Sequence, residues 1–226
     1  MKLSVIVPML NEAPAIARTL TAIRSAAPSA QLIVVDGGST DGSIAVAQPR
    51  CDVVISASSG RALQMNAGAA RASGDALVFV HADTAVPVTF ARDIEGALAD
   101  PEVVGGRFDV RLDDKHPLCV LIGALISLRS RISRTGTGDQ AIFARKTIFE
   151  SLGGFPNMPI CEDLDFTRRL KRAGRVACLR SKVTTSARRW RRDGIMRTVM
   201  RMWTIRLLYL AGVSPMRLAR MYSDVR

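Results

Sequence analysis

Aromatic residues make up only 5% of this chain and histidine occurs twice, so the basic residues have no stacking platform beside them and no reading-helix motif to present. A nucleic-acid partner is therefore not expected, although the formal net charge is +12. Cysteine is also sparse. Cys51, Cys119, Cys161 and Cys178 form no C-x-x-C pair, which argues against a zinc site or a disulfide framework and fits reduced thiols in the cytoplasm. Long apolar runs are missing as well: Leu118 to Leu128 spans about half of the ~20 residues a membrane-crossing helix needs, and Arg129 and Arg131 close it. The first apolar run meets Asn11-Glu12 without a small-residue cleavage site, so no secretion signal is read.

What is present is a chain of 226 residues, 48% hydrophobic and 23% charged, able to bury a core as one domain with an extension. The positive charge is concentrated at the end. From Arg188 to Arg226, ten arginines stand against Asp193 and Asp224 alone, a balance that by itself suits phosphate-bearing partners, nucleic acid or an anionic membrane face alike. Leu3 to Val7, Leu32 to Val35, Asp52 to Ile55 and Ala76 to Val80 read as buried parallel strands, with helical segments between them. The first such helix is expected to be capped by Asn11 and to bury Ile16, Leu20 and Ile23 before Pro28. Further on, Val103 to Val110 reads as a strand, Pro117 to Arg131 as a helix, Gly136 to Gln140 as a loop, Arg175 to Ser186 as a strand, and the chain from Gly194 as a helical tail. This is the α/β alternation, with ligand groups expected at the carboxyl ends of strands.

Several strand ends carry chemistry. Asp36-Gly37-Gly38-Ser39-Thr40-Asp41-Gly42 sets carboxylates and hydroxyls where glycines let a ligand approach the backbone, or else supplies Ser39 or Asp41 as a helix cap. No G-x-G-x-x-G follows the first strand, which argues against a nicotinamide fold. Arg61 heads a helix of small residues and offers forked donors to a base or a diphosphate. Phe79-Val80-His81-Ala82-Asp83 puts an imidazole and a carboxylate on one side of an extended chain, where Asp83 can hold Mg²⁺ or Mn²⁺ with the diphosphate completing the shell. Glu162 and Asp163 open a helix, either complementing its dipole or supplying a base.

In order and spacing, S-V-I-V-P-M-L-N-E, V-V-D-G-G-S-T-D-G, G-R-x-x-Q-M-N-A-G, F-V-H-A-D, G-G-F-P and C-E-D-L-D-F-x-R-R-L resemble family 2 glycosyltransferases across roughly residues 3–175. The tail from Arg188 to Tyr222 is similar to that of short bacterial members described as arsenosugar-biosynthesis glycosyltransferases. The resemblance implies a GT-A fold, a Rossmann-like mixed sheet flanked by helices, over residues 1–187, with a basic helical extension over 188–226. It implies an inverting transfer of a hexose-like sugar from a nucleotide diphosphate, UDP-sugar above others, to a hydroxyl. Donor contacts would come from Pro8, Asn11, Glu12, Asp36, Ser39, Asp41, Arg61, Asn66, His81, Ala82 and Asp83, with Asp83 on the Mg²⁺ or Mn²⁺. Asp163 is implied as the base with Glu162 beside it, and Gly138, Asp139, Gln140 and Trp190 on the acceptor side.

Two departures matter. The D-x-D motif stands as His81-Ala82-Asp83, one carboxylate short, and the Q-x-x-R-W motif of processive synthases stands as Ser186-Ala-Arg-Arg-Trp190 without its glutamine. One sugar per event is therefore expected rather than polymerisation; the alternative is a nucleotide-binding, membrane-associated protein that has lost catalysis. In the tail, Met196, Val199, Met200, Trp203, Leu207 and Leu210 share one helical arc, with Arg197 and Arg201 off it. That arc packs on the domain, forms a homodimer, or lies peripherally on the inner face of a membrane.

Overall fold

The computed structural model describes residues 1–221. Tyr222, with which the tail motif ends, and the residues after it lie outside the described residues. Four parallel strands form the first half of the sheet: β1 (Leu3–Met9), β2 (Gln31–Asp36), β3 (Val53–Ser56) and β4 (Ala76–Phe79). Their runs of Val, Ile and Leu are apolar on both faces because both faces are covered. Val5, Val7, Leu32 and Val34 pack with Ile16, Leu20 and Ile23 of α1 (Ala13–Ala26). On the other face Ile6, Ile33 and Val35 pack with Ala62, Met65 and Ala69 of α3 (Arg61–Arg71).

The small residues of α3 let it approach the sheet closely. A Cβ on Gly68 would overlap the Ile6 side chain and lie 2.9 Å from Val35 Cγ2. Alanine here gains up to about 1 kcal/mol of helix propensity, but both neighbours are β-branched and fixed on strands, so overpacking of about 1–3 kcal/mol prevails. Gly68→Ala is expected to lower the urea midpoint at an unchanged m value, and a raised midpoint would refute this close contact.

The second half reverses direction. β7 (Ile142–Arg145) runs antiparallel to β4 and to β6 (Val103–Leu112), β8 (Arg175–Thr185) is parallel to β6, and β5 (Thr84–Ala85) closes the edge, giving the order β3-β2-β1-β4-β7-β6-β8-β5. The remaining α-helices among the described residues are α2 (Ser43–Ala47), α4 (Phe90–Leu98), α5 (Pro117–Ser133), α6 (Lys146–Ser151), α7 (Glu162–Ala173), α8 (Arg188–Asp193), α9 (Ile195–Leu210) and α10 (Pro215–Met221). This mixed, helix-flanked sheet is the GT-A arrangement expected from the sequence.

Three local expectations are corrected. Asn11 does not cap α1: it sits in the left-handed region at φ 52°, and Glu12 occupies the cap position. Neither Ser39 nor Asp41 is the N-cap residue of α2, a place taken by Gly42, although Asp41 Oδ1 accepts from the Ser43 N–H. The helix read from Gly194 begins earlier, at Arg188 where the basic extension was expected to start, and Gly194 separates α8 from α9.

The tail packs on the domain, but not by the expected arc. Thr198 and Ile205 are the buried residues of α9, with Val199 and Met202 packed beside Cys119 and Ile122 of α5. Ile205 joins Leu218 of α10 against Ile160, Cys161 and Leu164. Of the apolar arc only Val199 turns inward; Met196, Met200, Trp203, Leu207 and Leu210 are 48–64% exposed.

Candidate active site

The direction of strand order changes at β1, which has β2 on one side and β4 on the other. Such a switch point opens a crevice at the carboxyl ends of the strands, and the loops after β1, β2 and β4 meet there. Asp36, 2% exposed at the end of β2, accepts from the Gly38 and Ser39 N–H groups at 2.9 and 3.0 Å and so shapes its own loop. The next loop is laced to the start of α1. Ser39 Oγ accepts from Asn11 N–H (2.9 Å), Ser43 Oγ from Glu12 N–H (2.8 Å), Asp41 Oδ2 from Ala13 N–H (3.0 Å), and Asn11 Oδ1 from Thr40 N–H (2.8 Å). The free N–H groups at the head of α1 are thus satisfied from a neighbouring loop. The Ser43 hydroxyl, with the Ala13 N–H next, holds the Asp41 carboxyl below the usual range.

Several expected donor residues also make framework bonds. Asn11, Ser39 and Asp41 brace the two loops, and Pro8 is buried within β1 opposite Val35. Asn66 ties α3 to the Gly-Gly-Phe-Pro loop, donating to Phe155 O at 2.8 Å and accepting from Phe155 N–H at 2.9 Å. Ala82 is buried, its carbonyl accepting from Thr19 Oγ1 at 2.8 Å. Gln64, to which sequence reasoning gave no role, donates its buried amide to both Met9 O and Val35 O at 2.8 Å, pinning the ends of β1 and β2. A polar residue one turn after Arg61, on the helix face that otherwise buries Ala62, Met65 and Ala69, was the available signal.

The carboxylates converge on the other side of β4. Gly138 opens a 3-10 turn at Gly138–Gln140, closed by reciprocal bonds between Thr137 and Gln140. A side chain at Gly138 would run into the His81 ring, so glycine is required for the loops carrying His81 and Asp163 to meet. Asp163 Oδ2 accepts from Gly138 N–H and Oδ1 from Leu164 N–H, each at 2.6 Å. Glu162 pairs with Arg61, its Oε1 3.1 Å from Arg61 Nε; Glu162 foremost, with Asp163 and Asp139 behind it, holds the Arg61 guanidinium charge more firmly than usual. Burial pushes the Asp139 carboxyl up, against the pull of its bond from Thr137 Oγ1 at 2.5 Å. Gln140 is buried, donating to Phe108 O at 3.2 Å.

Asp83 follows β4. Burial pushes its carboxyl up, Arg188 and Arg189 draw it back, and Asp113 adds to the rise. Among the described residues no group of three or more His, Cys, Asp or Glu side chains could enclose a metal. One desolvated carboxylate with a second in electrostatic reach fits a hard divalent ion that takes its remaining oxygens from a diphosphate.

Arginines from late in the chain reach residues around these loops, through contacts that no local sequence pattern marks. Arg188 Nη2 reaches both carboxylate oxygens of Glu12 at 3.0 and 3.1 Å. Arg206 of α9 donates to Thr135 Oγ1 at 3.1 Å, and Arg129 of α5 lies 3.5 Å from Thr137 Oγ1, so both frame the loop that leads to Gly138. Burial, with Arg129 as a like charge, lowers Arg206 to about 10. Trp190, expected on the acceptor side, is 7% exposed in an apolar cluster with Leu112, Cys119 and Ile122. Its indole is a packing group, because α8 folds against α5.

Comparison with known proteins agrees with this architecture. The family model described as glycosyl transferase family 2 matches residues 4–135. No curated protein matches the sequence significantly. Among solved structures, S. aureus TarS residues 1–349 in complex with UDP-GlcNAc aligns at 19% identity with a TM-score of 0.66, over 82% of this chain and 58% of that one. The mannosyltransferase PcManGT from Pyrobaculum calidifontis, in complex with GDP-Man and Mn²⁺, aligns at 24% identity and 0.64, over 90% and 60%. Glucosyl-3-phosphoglycerate synthase from Mycobacterium tuberculosis, in complex with Mn²⁺, UDP and glucosyl-3-phosphoglycerate, aligns at 22% and 0.57, over 82% and 70%. These likenesses are likenesses of fold, and the chain spans about 60% of the first two proteins.

Proposed function

The chain belongs to glycosyl transferase family 2, and we propose that it transfers one sugar per event from a nucleotide diphosphate, with UDP-sugar as the leading donor, to an acceptor hydroxyl with inversion at the anomeric carbon. One observation carries this reading. Two short backbone bonds fix the Asp163 carboxylate against the Gly138 turn, while its neighbour Glu162 is engaged by Arg61.

In this reading the nucleoside lies along the loops after β1 and β2, beside Asp36 and Arg61, and the diphosphate lies near Asp83, Arg188 and Arg189. Mg²⁺ or Mn²⁺ on Asp83 would neutralise charge on the departing diphosphate. Asp163 takes the proton of the acceptor hydroxyl as the new C–O bond forms and the bond to the diphosphate breaks from the opposite face. The Gly138 and Leu164 N–H groups fix the direction in which the carboxylate points, and Gly138-Asp139-Gln140 forms the acceptor-side floor. The missing glutamine before Trp190 supports single addition, and the tail motif supports a place among the short bacterial members described as arsenosugar-biosynthesis enzymes. The thiol-only cysteines support a cytoplasmic setting.

The test is thermal stability with UDP- and GDP-sugars, with and without Mn²⁺. A donor at about 100 times its Kd should add ~2.7 kcal/mol. If no nucleotide sugar shifts the transition, the donor reading fails. Stabilisation without turnover or donor hydrolysis leaves the catalytically inactive binding protein.

A further inference from the structure

Among the described residues, thirteen of the sixteen exposed large hydrophobic side chains lie on α5, α9 and α10. On α5 these include Leu118, Leu121, Leu125, Leu128 and Ile132, 43–77% exposed; on α9 Met196, Met200, Trp203, Leu207 and Leu210; on α10 Met216 and Met221. Each of the two longer sets recurs every three or four residues, one stripe along a helix. The stripes belong to neighbours, because α5 and α9 share the cluster of Cys119, Ile122, Val199 and Met202, and α10 joins α9 through Ile205 and Leu218. Monomeric soluble proteins rarely expose apolar side chains in such adjoining stripes, and where they do the surface marks an interaction site.

Charge selects the partner. The three helices carry seven arginines and not one carboxylate. Arg197 and Arg217 are exposed beside the stripes, whereas Arg191 and Arg192 of the adjoining α8 are already paired with Asp114 and Asp193. A second copy, packed through the same face, would set these arginines against their own kind with no acid in these helices to pair with, which opposes an isologous interface. A bilayer with anionic headgroups offers the opposite charge at its surface and hydrocarbon below it, and Trp203 suits the boundary between them.

We propose that α5, α9 and α10 together form a docking surface for an anionic lipid bilayer, with the acceptor side of the crevice directly behind it. The second half of this inference rests on the glycosyl-transfer reading and the first half does not. The inward side of the same helices meets the site: Arg206 and Arg129 frame Thr135 to Thr137, and the Tyr209 hydroxyl donates to Asp165 Oδ2 of α7 at 3.2 Å. The surface that touches lipid and the loop that leads to Gly138 are thus opposite sides of single helices, which suits an acceptor presented at the membrane.

The test is co-sedimentation of the full chain with vesicles of phosphatidylglycerol mixed with phosphatidylcholine, and of phosphatidylcholine alone. Binding should require phosphatidylglycerol and fall with salt. Arg197→Gln and Arg217→Gln should each lower partitioning about fivefold, as expected for ~1 kcal/mol per basic residue near a charged surface. Trp203→Glu with Leu207→Glu should abolish it. The donor-induced thermal shift should persist in these variants, which keeps failure of docking distinct from failure of the donor reading. Equal binding to neutral vesicles, or no binding by a monodisperse monomer, overturns the proposal. So does a dimer that ignores vesicles and dissociates on Trp203→Glu, since the face then belongs to a second copy.

Discussion

Asp163→Asn is expected to lower turnover by about 10² to 10⁴ while donor affinity stays within a few fold, the range lost when a positioned general base is removed. Asparagine keeps the size and shape of the side chain but cannot take the acceptor proton. The substitution is not structurally silent. Both carboxylate oxygens accept backbone N–H bonds at 2.6 Å, from Gly138 and Leu164, and an amide offers only one oxygen, so one N–H group is left facing an NH₂. That mismatch costs about 1–3 kcal/mol of stability, and the measurement must be turnover per folded molecule, with donor affinity determined on the same preparation. A helix-capping role alone would give the opposite pattern, a lower melting temperature with activity retained. Near-normal turnover would remove the base from this position. Glu162, paired with Arg61, would then be the next carboxylate at the head of α7 to test.

Asp83→Ala is expected to abolish the increase in nucleoside diphosphate affinity that Mn²⁺ produces, leaving the metal-free affinity in place. No enclosing group of three metal-binding side chains occurs among the described residues, so Asp113, the second carboxylate in reach, cannot rebuild a ring of protein ligands once Asp83 is gone. Calorimetry with and without Mn²⁺ measures it, and the same metal dependence in the variant would displace Asp83 from the metal. The pH dependence has a definite sign. Burial raises the Asp83 carboxyl above its ordinary value, so its neutral form persists to higher pH than that of an exposed aspartate, and the Mn²⁺ effect should begin to fade on acidification sooner than for an exposed site. The same rise makes the ionised form a cost in the folded protein. The favourable contribution of Asp83 is present below its unfolded value and lost as pH rises through the folded one, so Asp83→Asn should gain stability relative to wild type towards neutral pH. Lost metal dependence in a variant that is no less stable cannot be attributed to unfolding.

The runs Leu3 to Val7, Leu32 to Val35 and Ala76 to Val80 determined by themselves that the first half is a buried parallel sheet, because strands covered on both faces have no reason to alternate. Glycine and carboxylate at the ends of those strands determined where the crevice opens. The spacing of Ile16, Leu20 and Ile23 determined the face of α1, and the acids at 162 and 163 marked the head of α7. These are properties of neighbours in sequence. Only the tertiary structure decided which contacts the marked residues make within the fold: Asn11, Ser39, Asp41 and Asn66 each bond backbone far along the chain, and Trp190 packs beside Cys119 and Ile122 of α5. The same holds for what was missed. Arg188 meets Glu12 across 176 residues and Arg206 meets Thr135 across 71, and no periodicity joins such partners. The apolar arc of α9 was legible as an arc, yet which side of it faced the domain depended on where Ile205 and Thr198 met α5, α7 and α10. A helical pattern fixes which residues share a face, while the surface that face meets is set by elements the local sequence does not contain.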